Sequence, residues 1–315
     1  MAKILTLTLN PALDITIGLD TLRPGQVNRS QVQQSHAAGK GLNVAQVLAD
    51  LGHSVTVGGF LGQDNLQPFE ALIQWRGFAD CFVRVPGETR SNIKLVEADG
   101  RVTDINGQGP EVDEAARSAL LRRLEQVAPG HDAVVVAGSL PRGISAEWFR
   151  QLLDQLKAQG LRVALDSSGE ALRAGLQSAP WLVKPNTEEL GEVLGLAVDN
   201  PAQQRAAAEH LLASGVEHVV VSAGEQGVSW FARDLAVHAS PPKVRVASTV
   251  GAGDSLVAGM VHGLLQGELP AQTLTRATAI AAQAVTQVGF GIRDREQLAR
   301  LEAAVQLTEQ QEGCR

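Results

Sequence analysis

The chain has 315 residues, enough for one main domain with a smaller appendage, and its hydrophobic and charged fractions, 44% and 19%, are those of an ordinary globular protein. A formal net charge of −7 excludes a broad basic surface for nucleic acid, so any anionic ligand must be held by a local site. No apolar run is long enough to cross a membrane, and two distant cysteines without metal or redox spacing, Cys81 and Cys314, predict a cytoplasmic protein.

The amino-terminal segment predicts a β-strand and not a secretion signal. Residues from Lys3 to Leu9 alternate at the strand period, and the pattern stops at Pro11. Asp14 follows just beyond, where its carboxylate could accept hydrogen bonds from sugar hydroxyls. For that residue alone, an aspartate in a turn is the simpler interpretation.

A glycine-rich loop comes next and leads into a predicted helix. The loop runs from His36 to Asn43 and contains Lys40, and apolar residues continue at helical spacing from Val44 to Leu51. The segment lacks the spacing of a P-loop, although its backbone N–H groups could still hold a polar small molecule. An ordinary loop with a solvated lysine explains the same residues.

Residues 82–105 change to short alternating segments separated by turn residues, which predicts an antiparallel meander. The predicted strands are 82–85, 92–97 and 102–105. With residues 12–35 they would form a small β-sheet lid, inserted in two pieces into a main domain. That main domain would comprise residues 1–11, 36–81 and 106–315.

One strand of this meander carries a candidate phosphate site. Arg90, Asn92 and Lys94 are spaced by two residues, so all three project from one face of a strand. Two cations and an amide on a single face can bind a phosphate group. A solvated edge strand protected by charge is the alternative interpretation.

From Asp113 onward helices and strands alternate, and the strands are nearly continuous apolar runs, which predicts a parallel sheet covered on both faces. Ligands bind at the carboxyl ends of such strands. There the loops carry the polar residues, as in Asp166-Ser167-Ser168-Gly169. The predicted elements are helices 113–127, 145–158, 169–176, 201–213, 256–265 and 270–285, strands 133–137, 162–165, 181–183, 218–221 and 228–231, and a polar helix beyond Gln297.

Two further features of this carboxyl-terminal half could bind a phosphate group or the metal ion that accompanies it. Asn186 and Glu189 share one face at a predicted helix start and could hold a hydrated Mg²⁺, although a routine helix cap uses the same residues. Gly251-Ala252-Gly253 opens the helix at 256–265, and a helix start favours an anion. Asp254 beside it fits a general base for a hydroxyl attacking phosphorus, or simply a carboxylate complementing the helix dipole.

Four motifs in order resemble the ribokinase (PfkB) family of carbohydrate kinases, over nearly the whole chain. They are Thr8 to Asp14, Ala38 to Asn43, Lys184-Pro185-Asn186, and Thr249 to Asp254. The resemblance implies a ribokinase-like three-layer α/β/α sandwich with a mainly parallel sheet, and a small β-sheet lid that closes over the sugar. It also implies a homodimer formed through the lid.

The activity implied by this resemblance is Mg²⁺-dependent transfer of the γ-phosphoryl group of ATP to the 6-hydroxyl of fructose 1-phosphate. By position, Asp254 resembles the general base and Gly251, Ala252 and Gly253 the anion hole. The residues that resemble substrate contacts are Asp14, Gly39, Lys40, Asn43, Arg90, Asn92, Lys94 and Ser139. Those that resemble ATP contacts are Lys184, Asn186, Ser222, Ala223, Gly224, Gly227, Thr249 and Gln283, with Asn186 and Glu189 on the metal side.

The chain departs from the family pattern at two positions, and three other functions remain as alternatives. Ala38 replaces a usual glycine and would place a methyl group near the sugar, and Ser167 replaces a usual threonine. A kinase of the same family acting on tagatose 6-phosphate or fructose 6-phosphate would share the chemistry. A non-catalytic sugar-responsive binding protein would not need Asp254. An NAD-dependent dehydrogenase is disfavoured because no Gly-x-Gly-x-x-Gly follows the first strand.

Overall fold

Within residues 1–309, the part of the chain that the computed structural model describes, a larger sheet has ten strands and a smaller sheet has four. The strands are β1 Lys3–Thr8, β2 Ala12–Leu19, β3 Val32–Ala38, β4 Ser54–Gly62, β5 Ala79–Val85, β6 Arg90–Glu97, β7 Val102–Asn106, β8 Ala133–Ala137, β9 Arg162–Asp166, β10 Leu182–Val183, β11 His218–Ser222, β12 Val228–Ala232, β13 Leu235–Ser240 and β14 Gln306–Glu309. The α-helices are α1 Lys40–Asp50, α2 Gln67–Arg76, α3 Glu114–Val127, α4 Ala146–Ala158, α5 Gly169–Leu176, α6 Thr187–Leu194, α7 Pro201–Ala213, α8 Ala252–Gln266, α9 Pro270–Ala284 and α10 Arg295–Ala304.

The larger sheet has the order β14-β13-β12-β11-β10-β9-β8-β1-β4-β5, with parallel pairing from β5 to β11 and antiparallel pairing from β11 to β14. Its inner strands are apolar on both faces, as in β8, where all residues are buried. Helices α1, α2, α8, α9 and α10 cover one face, and α3 to α7 cover the other. The predicted three-layer α/β/α sandwich is therefore confirmed.

The smaller sheet has the order β3-β2-β6-β7 and lies outside these layers. Its central strands, β2 and β6, are parallel, whereas the two outer pairs are antiparallel. The predicted small sheet therefore exists, but it is not a simple antiparallel meander. The other residue boundaries proposed for the lid stay a prediction. Strand β3 continues past the proposed boundary at residue 35, to Ala38.

The assignment of strand 82–85 to the lid is wrong. This strand is part of β5, which pairs in parallel with β4 at the edge of the larger sheet. Phe82 and Val83 are both buried, because a helix layer covers this strand on each face. A short apolar strand between two turns has the same sequence pattern in either sheet, so only its pairing could assign it.

The carboxyl-terminal segment differs from the prediction of one polar helix beyond Gln297. Helix α10 ends at Ala304, and β14 then adds an antiparallel strand to β13. The rest of that predicted helix, with Cys314, lies outside the described residues. The other cysteine, Cys81, is buried and forms no disulfide with the part of the chain described. Among residues 1–309, no helix combines the length and apolar character that a membrane span requires.

Candidate active site

A cleft of about 390 Å³ lies where the carboxyl ends of β9, β10 and β11 approach the smaller sheet. Two larger grooves, of about 950 and 690 Å³, contain none of the residues predicted to bind ligands, so chemistry and not size identifies the site. The cleft is lined by Ala12, Asp14, Gly39, Lys40, Asn43, Arg90, Asn92, Asp166, Lys184, Asn186, Glu189, Ser222, Val250, Gly251, Gly253 and Asp254.

The first turn of α8 supplies the predicted anion site. Gly251 is the residue before the helix and has a φ of 83°, a left-handed conformation that favours glycine. A Cβ atom at Gly251 would lie 2.7 Å from Cε1 of Phe290, so a side chain would also collide with that ring. Ala252 and Gly253 begin the helix, and the first N–H groups of a helix have no partner within it. Together with the helix dipole, they favour a bound anion.

Asp254 lies in this first turn and is only 6% exposed. Asn43, in the first turn of α1, donates a hydrogen bond from Nδ2 to Oδ2 of Asp254 at 2.7 Å. Burial, and then the negative charge of Asp166, raise the pKa of Asp254 to about 6, against the opposing effects of Asn43, Lys40 and Lys184. Such a carboxylate is ionised at neutral pH and is still basic enough to accept a proton.

A second buried carboxylate, Asp166, joins two lysines beneath the cleft. Its Oδ1 lies 3.3 Å from Nζ of both Lys40 and Lys184, while its Oδ2 is buried without a hydrogen-bond partner. Burial opposes the charge of Lys40, but the carboxylates of Asp166, Asp254 and Glu189 outweigh this and raise its pKa. Two cations are thus held next to the helix start that favours an anion.

On the lid side, Asp14 and Asn92 face the cleft from neighbouring strands. They are paired in the register of β2 and β6, and Asn92 Nδ2 donates to Asp14 Oδ1 at 3.0 Å. Burial raises the pKa of Asp14, and the hydrogen bond from Asn92 partly opposes that shift. Oδ1 of Asn92 is buried without a partner. This pair can accept and donate hydrogen bonds to a polar ligand such as a sugar.

The structure separates the two cations predicted to share a phosphate. Arg90 lines the cleft, and its guanidinium donates to the carbonyl oxygens of Asn10 at 3.2 Å and Gly107 at 3.3 Å. Lys94 does not line the cleft, because its Nζ forms an ion pair with Asp104 on β7 at 3.1 Å. Strand β6 places the Arg90 and Lys94 side chains on one face, but an acidic residue on the neighbouring strand β7 already pairs with Lys94.

On the opposite side of the cleft, Asn186 and Glu189 form a reciprocal cap at the start of α6. Asn186 Oδ1 accepts from the backbone N–H of Glu189 at 2.7 Å, and Glu189 Oε2 accepts from that of Asn186 at 2.9 Å. The routine helix cap is therefore present, and both side chains also line the cleft. Among residues 1–309, no group of three or more histidine, cysteine or acidic side chains could hold a metal by itself.

Comparison with known proteins agrees with this geometry. Residues 7–296 match the family model described as pfkB family carbohydrate kinase. The chain belongs to that family. Proteins named 1-phosphofructokinase from Vibrio cholerae and Escherichia coli are both 46% identical to it, over 97% of this chain and 96% and 98% of their own lengths. Phosphofructokinase-2 from E. coli, crystallised with potassium, aligns with a TM-score of 0.88 at 30% identity, covering 96% of this chain and 99% of that one. The predicted resemblance is confirmed.

In this pfkB family member, several predicted ligand contacts lie beside the cleft and not in its wall. Ser139 accepts a hydrogen bond from Asn10 Nδ2 at 3.2 Å. Ala223, Gly224 and Gly227 form the turn that follows Ser222, and Thr249 is exposed two residues before Gly251. Ala38 is 1% exposed, so its methyl group is not part of the cleft wall.

The structure does not bring Gln283 to the cleft. This residue is 1% exposed, and its Nε2 donates to the carbonyl oxygen of Asp294 at 2.5 Å and to Gln297 Oε1 at 3.2 Å. Gln283 therefore packs α9 against α10. Conversely, the sequence interpretation assigns no role to Asp166. An acidic residue at the carboxyl end of a buried parallel strand could have indicated a ligand-binding position.

Proposed function

We propose that this pfkB family enzyme transfers the γ-phosphoryl group of ATP to the 6-hydroxyl of fructose 1-phosphate, giving fructose 1,6-bisphosphate and ADP. The observation that carries the proposal is the buried Asp254 in the first turn of α8, hydrogen-bonded to Asn43 inside a cleft. The choice of sugar is supported by the 46% identity to proteins named 1-phosphofructokinase.

Asp254 is the general base in this proposal. As the 6-hydroxyl oxygen forms its bond to the γ-phosphorus, the hydroxyl proton passes to the Asp254 carboxylate, and the bond between the γ-phosphorus and the bridging oxygen of ADP breaks. The N–H groups that follow Gly251 face the negative charge on the transferred group. Donors fixed in place before the reaction stabilise this charge more in the transition state than in the ground state.

The two lysines on Asp166 are the proposed cationic partners of the phosphates. Lys184 is 5% exposed, and its Nζ would be 3.5 Å from a Cβ at Gly253, so this ammonium group lies against the helix start. Lys40 reaches the same carboxylate from α1. Because Asp166 fixes both Nζ atoms, the charges are oriented before a ligand binds, which lowers the cost of arranging them during the reaction.

The sugar would lie under the smaller sheet. Asp14 and Asn92 would bind its hydroxyls, with Gly39, Lys40, Asn43 and Ser139 around it. Arg90 would bind the phosphate by exchanging its contacts with backbone carbonyls for a charge-assisted pair of hydrogen bonds. Lys94 is the proposed second cation, and it would first have to leave Asp104. ATP would lie along Lys184, Asn186, Ser222, Ala223, Gly224, Gly227 and Thr249.

The residues at the start of α6 fit a hydrated Mg²⁺. The helix cap uses one carboxylate oxygen of Glu189 and leaves the other for water or metal, and Asn186 lies beside it. Magnesium in phosphoryl-transfer sites usually takes one or two protein carboxylates and several water and phosphate oxygens, so a cluster of three acidic side chains is not needed. When bound, Mg²⁺ would neutralise charge on the ATP phosphates.

We also propose that two copies associate through their lids, in a cytoplasmic enzyme. Three apolar side chains are exposed on the outer strands of the smaller sheet, Val32 on β3 and Val102 and Ile105 on β7, with 56%, 47% and 53% of their surface accessible. Packing of the smaller sheet against that of a second copy would cover part of this apolar surface. The buried thiol of Cys81 is consistent with a reducing compartment.

A phosphosugar panel tests the proposed reaction. ADP release with Mg²⁺ and ATP is measured on fructose 1-phosphate, fructose 6-phosphate, tagatose 6-phosphate and ribose, with Asp254→Asn as the inactive control. We expect the highest kcat/KM with fructose 1-phosphate. A higher value with either 6-phosphate would move the assignment to another sugar, and binding without turnover on all four would support a sugar-responsive binding protein.

A further inference from the structure

The loop between α9 and α10, residues 285–294, supports the anion site from behind. The carbonyl oxygen of Val285 accepts hydrogen bonds from the N–H groups of Ala247 at 2.7 Å and Ser248 at 3.2 Å, in the segment that leads to Gly251. The ring of Phe290 lies directly against Gly251, at the place where a Cβ atom would be only 2.7 Å from it. The position of Gly251 therefore depends on where this loop lies.

The last residue of α1 holds the loop in place. Oδ2 of Asp50 accepts a hydrogen bond from the N–H of Ile292 at 2.7 Å, two residues after Phe290. Oδ1 of the same carboxylate pairs with Nη2 of Arg76 at 2.7 Å, and the backbone carbonyl of Asp50 accepts from Arg295 at 2.7 Å. The Asp50 side chain is 19% exposed, so water competes little for the bond to Ile292.

Helix α1 thus contacts both halves of the phosphoryl-transfer site. Its first turn carries Asn43, which donates to Asp254, and its last residue fixes the loop behind Gly251. We propose that Asp50 is a positioning residue for phosphoryl transfer: by holding the N–H of Ile292 it keeps Phe290 against Gly251 and so fixes the start of α8 within the cleft. This inference rests on the proposed function.

The kinetic consequence differs from that of a purely structural contact. The anion site acts on charge that develops during transfer, so moving it should lower kcat while the KM values for both substrates change little. A displacement of 1 Å in such a site can cost about 100-fold in rate. A contact that only stabilises the fold would lower the melting temperature and leave the kcat of the folded enzyme unchanged.

The test compares three single variants of the full chain. Asp50→Ala removes the acceptor for Ile292, and we expect kcat to fall about 10- to 100-fold with both KM values within about twofold. Asp50→Asn keeps one amide oxygen that can accept from Ile292, so it should recover most of the lost kcat. Arg76→Gln is the matched control, because it removes the ion pair but leaves the Ile292 bond, and its kcat should stay within about twofold.

A double-mutant cycle shows whether Asp50 acts through the ring. Phe290→Ala should lower kcat by a similar factor, and the double variant with Asp50→Ala should lose little more than either single one, because both changes release the same contact. Losses that multiply would overturn the inference, as would a normal kcat in Asp50→Ala or an equal loss in Arg76→Gln. If Asp50→Ala does not fold, Phe290→Ala against Phe290→Leu decides, since a leucine that fills the space should restore kcat.

Failure of this inference is separable from failure of the proposed function. The wild-type chain is assayed first with ATP and the four sugars, and absence of turnover there contradicts the kinase itself. A fully active wild type with an equally active Asp50→Ala variant contradicts only the role of Asp50.

Discussion

Helices α1 and α8 both begin after a glycine at the edge of the cleft, and their first turns meet through Asn43 and Asp254. Their supports differ. A Cβ at Gly41 in the first turn of α1 would lie 2.8 Å from the carbonyl oxygen of Leu7, inside the larger sheet. The start of α8 is backed instead by a ring from the 285–294 loop. One half of the site is thus positioned by the folded sheet, and the other by a loop that is not part of the sheet.

This difference means that stability and activity can be disturbed separately. Substitutions at the start of α1 should lower the free energy of unfolding, because backbone atoms of β1 cannot move aside at low cost. Substitutions at the start of α8 should lower kcat while the enzyme stays folded, because a loop can move to relieve a steric clash.

Substitution of the proposed base should have the largest effect. Asp254→Asn keeps the shape of the side chain and an oxygen that can accept from Asn43, but it cannot take up a proton. We expect kcat to fall at least about 100-fold, the scale of a lost general base. Turnover is measured together with ATP binding and melting temperature, which should stay close to wild type. Near-normal turnover would remove Asp254 from the reaction.

The two glycines give the direct comparison of the helix starts. Gly251→Ala forces a side chain into a left-handed conformation against Phe290, and we expect kcat to fall about 100-fold in a folded protein. Gly41→Ala pushes against Leu7 and Thr8 and should cost about 1–3 kcal/mol in the free energy of unfolding. Chemical denaturation and turnover are measured on both variants. The reverse outcome, with Gly251→Ala unstable and Gly41→Ala slow, would contradict the division.

The lid cations should differ in their effect on sugar affinity. Arg90 already lines the cleft, so Arg90→Ala should raise the KM for fructose 1-phosphate at least about tenfold, through loss of a charge-assisted contact. Lys94 must first give up its ion pair with Asp104, which offsets part of its contact with the phosphate, so Lys94→Ala should raise this KM by no more than about threefold. Equal and large increases would mean that breaking the ion pair with Asp104 costs little.

The dependence of turnover on pH should reveal the raised pKa of Asp254. Below about pH 6 this carboxyl group carries a proton and cannot accept another, so kcat should fall about tenfold for each further pH unit. The measurement uses saturating substrates, because free sugar phosphates also titrate near this pH. A kcat that stays constant down to pH 5 would show that ionised Asp254 is not required.

Much of the fold follows from local patterns. The strand at 133–137 and the helices at 113–127 and 256–265 agree with β8, α3 and α8 to within a few residues, because their apolar periods and capping residues are local. The loop-to-helix transition at Gly251 was predictable for the same reason.

Features that depend on distant partners were not predictable in this way. The strand at 82–85 is assigned to the larger sheet only by its pairing with β4. The sequence does not indicate a partner for Lys94, because its ion pair requires Asp104 on the neighbouring strand β7. Gln283 looks like any polar residue on a helix, and only the packing of α10 shows that it is buried. Asp166 gains its role from Lys40 and Lys184, 126 and 18 positions away, and Phe290 gains its role from Gly251, 39 positions away.

The two contacts made by α1 also restrict how long that helix can be. Asn43 and Asp50 are seven residues apart, close to two full turns, so both side chains lie on nearly the same side of the helix. Inserting a single residue between them would rotate one against the other by about 100° and shift it by about 1.5 Å. No insertion shorter than about one complete turn would keep both contacts, so natural length variation is expected in the surface turns and not within this helix.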